Sequence, residues 1–228
     1  RGRPPPGAVP FSDWPVPALA LTGLLALLVL GDAARRAGWQ APLREHLIWA
    51  GATALLAAAR QMNVTLPDGL SLQYLGAAGL TVVLGYARAI VTLALIFGAE
   101  ALADGGPASL PAQASRLLLL GFLPAWLIWQ IARLCRFRLP PNPFVFLLGV
   151  GFLGLFGAYA LSLLAATAAN ALLSGPAALA YAHAVLPYAL LLSTGEAWLE
   201  GMMTTLLVVF APGAVRLFDE RYYLAPPR

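Results

Sequence analysis

Apolar runs follow one another along this chain with so little polar sequence between them that only a bilayer can take them all. A helical crossing needs about 20 mostly apolar residues. Candidate spans fall at about 15–31, 46–60, 72–87, 88–103, 116–135, 143–173 and 180–211. With 60% hydrophobic and 11% charged residues, and a mean hydropathy of +0.78, almost no sequence is left for a soluble domain. The expected fold class is all-α: a polytopic integral membrane helical bundle of about seven transmembrane helices. Residues 1–14 read as an extended Pro-rich arm, 15–224 as a single membrane domain and 225–228 as a short tail. The second to fourth candidates are short for a span. The last is over-long and contains Pro187 and Gly195, so it reads as one kinked helix or as an interfacial helix followed by an eighth span.

Every basic residue is Arg. With seven spans and an external N-terminus, the cytoplasmic side collects Arg35, Arg36, Arg44, Arg88, Arg133, Arg136, Arg138, Arg216, Arg221 and Arg228. The outside then holds Arg1, Arg3, Arg60 and Arg116. That asymmetry predicts N-out, C-in in a bacterial inner membrane. The net charge of +4 thus belongs to membrane topology, and nucleic acid is not an expected partner.

Several short signals have ordinary explanations. Cys135 is a lone cysteine, so the chain builds neither a disulfide framework nor a Cys-based metal site. Asn63-Val64-Thr65 fits a glycosylation sequon of a kind that arises by chance. The Pro-rich start lacks the apolar stretch of a signal peptide directly after its basic residues. Gly154, Ala158, Ser162, Ala166 and Asn170 recur at four-residue steps, a face of small residues on which helix backbones can approach closely. That seam packs within the protein or against another subunit.

Carboxylates inside apolar sequence carry more information, because an unpaired charge there is costly and such groups face a cavity or a partner. Glu196 and Glu200, four apart, share one helix face. They line a polar cavity that takes protons or a cation, or they pair with an arginine such as Arg60 or Arg116 or with helix-end backbone amides. Met62, Met202 and Met203 suggest soft copper coordination no more than ordinary packing.

Residues 58–79, AARQMNVTLPDGLSLQYLGAAG, form a polar island between apolar runs. They resemble the CbiM-like permeases, the substrate-capture membrane components of cobalt and nickel energy-coupling-factor importers. Ala58-Ala59-Arg60-Gln61-Met62-Asn63-Val64 and Pro67-Asp68-Gly69-Leu70-Ser71 are similar to that family's A-A-Q-M-I-N-F-P-V-P-G-G-T-S phrase. Leu72-Gln73-Tyr74-Leu75-Gly76-Ala77-Ala78 is similar to its H-L-V-G continuation. Ala103-Asp104-Gly105-Gly106 resembles its acidic turn, and Glu196 with Gly201 and Thr204-Thr205-Leu206 its terminal helix. The tail, with Phe218-Asp219-Glu220-Arg221-Tyr222-Tyr223-Leu224, looks closer still to a shorter branch of these permeases. The resemblance covers about residues 45–224.

Departures limit what the resemblance implies. Metal-binding members carry an N-terminal Met-His-Ile-Pro-Asp-Gly segment that supplies nitrogen ligands, whereas residues 1–17 contain no His. The family's other ligand is the His of H-L-V-G, and Gln73 stands there. An amide oxygen is a much poorer ligand for cobalt or nickel than imidazole, so the metal pocket is expected to be absent or remade. His46 sits at an ordinary interfacial helix start. His183 lies on the same predicted outer side as the island, within possible reach of Gln73, Asp68 and Asp104.

The candidate substrate-binding residues are therefore Asn63, Asp68, Gln73, Asp104, His183, Glu196 and Glu200. No catalytic residue, resident metal or cofactor is called. The chain has no Lys and no G-x-x-x-x-G-K loop, so ATP hydrolysis must come from other subunits, and an enzyme is the least supported class. The leading expectation is a substrate-capture component with altered ligands, working in the lipid membrane with a coupling subunit and ATPases. The alternative is a non-transporting accessory or structural subunit of a larger respiratory or photosynthetic membrane complex. A stand-alone channel or proton-coupled carrier rests on the paired glutamates alone.

Overall fold

The computed structural model describes the backbone of residues 11–61, 63–65, 71–104, 106–174 and 176–224. Side chains are described for these residues except at 63–65, 71–72, 104, 176–185 and 189. A 3-10 turn at Phe11–Asp13 leads into helix α1, Val16–Arg36, whose Pro17 sits in the first turn where a missing N–H costs nothing. Helix α2, Leu43–Arg60, is followed by a small antiparallel hairpin of β1, Asn63–Thr65, and β2, Ser71–Gln73, with Asn63 opposite Gln73. Helix α3, Ala77–Leu84, is only 8 residues long; α4, Tyr86–Asp104, follows across Gly85.

A near-continuous helical run comes next, made of α5, Leu110–Arg116, a π-helical stretch Leu117–Phe122, and α6, Leu123–Arg138. The wider turns fit Pro124, which has no N–H to donate to the preceding turn. A second π-helical stretch, Val145–Gly154, runs into α7, Leu155–Ser174. Helix α8, Pro176–Phe210, has 35 residues, about 50 Å at 1.5 Å each, and runs unbroken through Pro187. Short α9, Glu220–Tyr223, is capped by Asp219, whose carboxylate accepts from Tyr222 N–H.

Among the described residues four helical stretches are long and apolar enough to cross a membrane: Val16–Arg36, Tyr86–Ala103, Gly106–Arg138 and Val145–Ser174. The exposed leucines of α1, such as Leu24, Leu27 and Leu28, suit lipid rather than water. The expectation of a helical membrane bundle stands, with the β1–β2 hairpin as a small addition.

One expected span is corrected. Residues 72–87 do not form a membrane-crossing helix, because α3 rises only about 12 Å and the chain before it is extended. Gly76, at φ 67°, sets the start of α3, and Gly85, at φ 78°, ends it. Both are conformations that favour glycine. The residues of α3 are nonetheless among the most buried in the chain, packed against α4, α6 and α8.

Polar contacts gather the segment ends at the two ends of the bundle. At one end, Arg88 bonds the Ala37 carbonyl (2.8 Å) and Glu45 (2.8 Å), and Arg216 also reaches Glu45 (2.9 Å). Arg136 pairs there with Asp219 at 2.9 Å. Towards the other end, Trp14 donates its indole N–H to Asn170 at 3.1 Å, and the arm's Phe11 and Trp14 are buried.

The small-residue seam is buried within the chain. Gly154 lies against Ile128 and Ile131 of α6, while α7 and α8 share the most extensive helix contact. Gly201 lets α8 close onto the second π-helical stretch, since a Cβ there would stand 2.4 Å from the Gly151 carbonyl oxygen.

Candidate functional site

The interrupted segment from β2 to α3 lies between two polar clusters. On one side is α8, whose Glu196 and Glu200 are both buried. Four-residue spacing places both carboxyl groups against the start of α3. Glu196 accepts the backbone N–H of Leu75 through Oε1 (3.0 Å) and of Gly76 through Oε2 (3.3 Å). Glu200 accepts the Tyr74 hydroxyl at 2.7 Å, and the Tyr159 hydroxyl at 2.8 Å on Oε1 and 2.7 Å on Oε2. The Tyr159 oxygen in turn accepts the Ala78 N–H at 3.0 Å.

The Gly76 and Ala78 amides are ones that a helix start leaves without intrahelical partners, and the positive end of the helix dipole lies there too. Of the alternatives left open by the sequence, the geometry places Glu196 and Glu200 on helix-end amides and tyrosines. Gly79 makes the approach possible: a Cβ on it would come within 2.5 Å of the Glu200 carboxyl.

The second cluster joins α2, β2 and α4. Arg60, 1% exposed, forms a bidentate pair with Glu100, from Nε to Oε1 at 2.7 Å and from Nη2 to Oε2 at 2.8 Å. Its Nη1 donates to the carbonyls of Tyr74 (3.1 Å) and Leu75 (3.3 Å), and its guanidinium lies 4.2 Å from the centre of the Phe97 ring. A charge buried this deeply persists only when paired and hydrogen-bonded, and here both conditions hold.

Gln73 completes the second cluster. Its amide nitrogen donates to the Arg60 carbonyl at 3.2 Å and to Glu100 at 3.4 Å, and its amide oxygen accepts from Arg116. Where the resemblance implied an imidazole ligand, the chain places an amide whose oxygen already faces a guanidinium. A cavity of about 410 Å³ borders this cluster, lined by Ala57, Arg60, Gln61, Gln73, Leu95, Ile96, Ala99, Glu100 and Ala103.

The remaining candidates have no described side chains. Asn63 lies in β1 opposite Gln73, with its side chain outside the described set. Asp68 lies outside the described residues altogether. Asp104 ends α4 and His183 sits in α8, again with undescribed side chains. His46 contacts the Trp39 carbonyl at 3.2 Å and stacks on Trp49, and Cys135 is buried. Among the described residues no three His, Cys, Asp or Glu side chains converge as a metal-binding group.

Glu100, Tyr74 and Tyr159 were not among the candidates. A Glu inside the apolar run 88–103 was a readable signal, since a carboxylate there requires a partner. The tyrosines carried no such mark.

The family model described as cobalt uptake substrate-specific transmembrane region, CbiM, matches residues 14–214. No curated protein and no solved structure matches the chain.

Proposed function

The chain belongs to the CbiM family of cobalt uptake transmembrane components, and from that premise we propose that it captures a substrate for an energy-coupling-factor importer without the family's usual metal ligands. The observation carrying this reading is Gln73, held between Arg116 on its oxygen and Arg60 and Glu100 on its nitrogen. A divalent cation seeking that oxygen would meet the Arg116 guanidinium and a weak donor. The cargo site therefore favours something other than bare cobalt or nickel, with Asn63, Asp68, Asp104 and His183 as the residues to test around Gln73.

In this reading the chain crosses a bacterial inner membrane seven times, the third time as the non-helical stretch 71–76 followed by short α3 rather than as a full helix. The end holding residues 37–45, 85–88, 136–142 and 212–223 faces the cytoplasm. Its exposed Arg35, Arg36, Arg44, Arg133, Arg138 and Arg221 support that orientation, and a coupling subunit and ATPases dock there. The protein supplies no catalysis of its own. A second reading, an accessory subunit of a larger membrane complex, draws support from the hydrogen-bond partners that Gln73 and Arg60 already have within the chain.

Both readings meet in one experiment: mild detergent purification of the native protein, with mass spectrometry of co-purifying subunits and elemental analysis of the same sample. Importer ATPases with cobalt and nickel well below stoichiometric levels are expected, as is a rise in bound metal in Gln73→His. Stoichiometric cobalt or nickel in the wild type would overturn the altered-ligand reading. Stoichiometric subunits of an unrelated complex, without ATPases, would replace capture by the accessory role.

A further inference from the structure

We infer that the crevice between α2 and α4 binds the head group of a phosphatidylethanolamine-type lipid, with the ammonium on Glu100 and the phosphate towards Gln61. The crevice also touches Gln73, on which the proposed capture reading centres, so the inference concerns the lipid-facing side of that cluster and its test reads lipid retention rather than cargo. The crevice is lined at the last turns of both helices, by Ala57 and Arg60 of the first with Gln61 just past its end, by residues between Leu95 and Ala103 of the second, and by Gln73 of β2. Its walls are apolar where α4 turns outward: Leu95 is 65% exposed and Ala99 and Ala103 are exposed with it, all on one face at four-residue spacing. In a membrane protein that face meets lipid near the level of the head groups.

The floor is different. Buried Arg60 and partly buried Glu100 lie there, and Gln61 stands at the exposed rim. The crevice is open on its outer side, and its volume of about 410 Å³ is enough for a head group, within the range of about 300–1,000 Å³ for small-molecule sites.

Charge and hydrogen-bond capacity select the ligand. Arg60 commits its donors to Glu100 and to the Tyr74 and Leu75 carbonyls, so it holds the carboxylate in place rather than offering itself. A carboxylate has about four acceptor positions. Arg60 Nε and Gln73 Nε2 use Oε1 and Arg60 Nη2 uses Oε2, which leaves capacity on Oε2 for an incoming N–H.

The Arg60–Glu100 pair is neutral as a unit, so a ligand of large net charge would stay uncompensated in a lipid-facing crevice. A zwitterion does not carry that cost. A primary ammonium offers three N–H donors to Glu100, whereas a quaternary choline offers none. Gln61 adds amide donors for a phosphate oxygen at the rim.

The test uses the full chain in detergent, titrated with phosphatidylethanolamine and with phosphatidylcholine of the same acyl chains, and read by native mass spectrometry. Retention of the ethanolamine lipid should exceed that of the choline lipid by about tenfold, the equilibrium factor of one charge-assisted hydrogen bond. Glu100→Gln should erase the preference. Because that variant leaves Arg60 buried beside a neutral amide and can itself unfold the protein, Ala99→Phe is the second arm. It fills the crevice from its exposed wall without touching the ion pair, and should abolish the adduct. Equal retention of the two lipids, or an adduct that survives Ala99→Phe, would overturn the assignment. So would binding of soluble phosphoethanolamine with no retention of the lipid.

Discussion

Replacing Tyr159 by Phe isolates the tie between α7, α8 and the start of α3, because it removes one oxygen and keeps the ring. Tyr159 is completely buried, and its hydroxyl both donates to Glu200 (2.7 Å to Oε2) and accepts from Ala78 N–H (3.0 Å). The substitution therefore has two costs: a hydrogen bond to a carboxyl group, and a backbone donor left in the core. In proteins at large these cost about 1.5–3 and about 1–3 kcal/mol. Hydrogen bonds between membrane helices average nearer 0.6 kcal/mol, so the lower half applies, about 2.5–4 kcal/mol in all. Tyr74→Phe is the internal control. It also loses a bond to Glu200, of 2.7 Å, but the Tyr74 hydroxyl accepts no backbone N–H among the described contacts, so its cost should be about 1–2 kcal/mol. Reversible unfolding in mixed micelles by SDS titration, followed by tryptophan fluorescence and far-ultraviolet dichroism, gives both numbers. Equal costs for the two variants, or a Tyr159→Phe effect below about 0.5 kcal/mol, would refute the two-cost account.

Gly154→Leu should reduce membrane abundance, since even a Cβ would stand 2.7 Å from the Gly149 carbonyl oxygen and 3.0 Å from Ile128; wild-type levels in fluorescence-detected chromatography would count against the packing account. Gly76→Ala forces a side chain into φ 67° and places its Cβ 2.1 Å from Leu56 Cδ1. The backbone part costs about 1–2 kcal/mol, so Leu56→Ala in the same chain should not fully restore it, and full restoration would show that φ is immaterial. Arg60→Ala strands Glu100 and should cost about 3–5 kcal/mol, with partial recovery when Glu100→Ala is added. A double variant no more stable than the single would mean that the pair is not the source of the loss.

Most helices were legible because their signal is local. The runs at 116–135 and 143–173 are long, apolar and nearly uncharged, and their observed counterparts differ mainly at the ends. The run at 72–87 looked the same, since Leu80 to Leu84 are as apolar as any span. What breaks it is not local: the amides of Leu75 and Gly76 are satisfied by Glu196, about 120 residues away, which lets the chain stay extended to Gly76 at little cost. Glu196 and Glu200 were readable as carboxylates in need of partners; those of Glu196 are backbone amides, which no residue type marks, and those of Glu200 are the hydroxyls of Tyr74 and Tyr159. Glu100 was equally readable by the same rule; its partner Arg60 looked like a helix-end charge and is instead 1% exposed.

Three carboxyl groups thus hold the interrupted segment from both sides. Glu100, through Arg60, fixes the carbonyls of Tyr74 and Leu75, while Glu196 and Glu200 fix the amides and hydroxyl of residues 74–76. Gln73 stands next to that clamp and contributes only its side-chain amide to the contacts with Arg60, Glu100 and Arg116. The scaffold that positions residue 73 is consequently separable from the chemistry residue 73 offers. In the capture reading proposed above, exchanging that side chain and Arg116, but not the clamping Arg60, changes the cargo while the backbone beneath stays put. For that reason Gln73→His, rather than a rebuilt loop, is the informative substitution for metal retention. Arg116→Gln should strengthen its effect, because it removes the cation that now faces the position an imidazole would occupy.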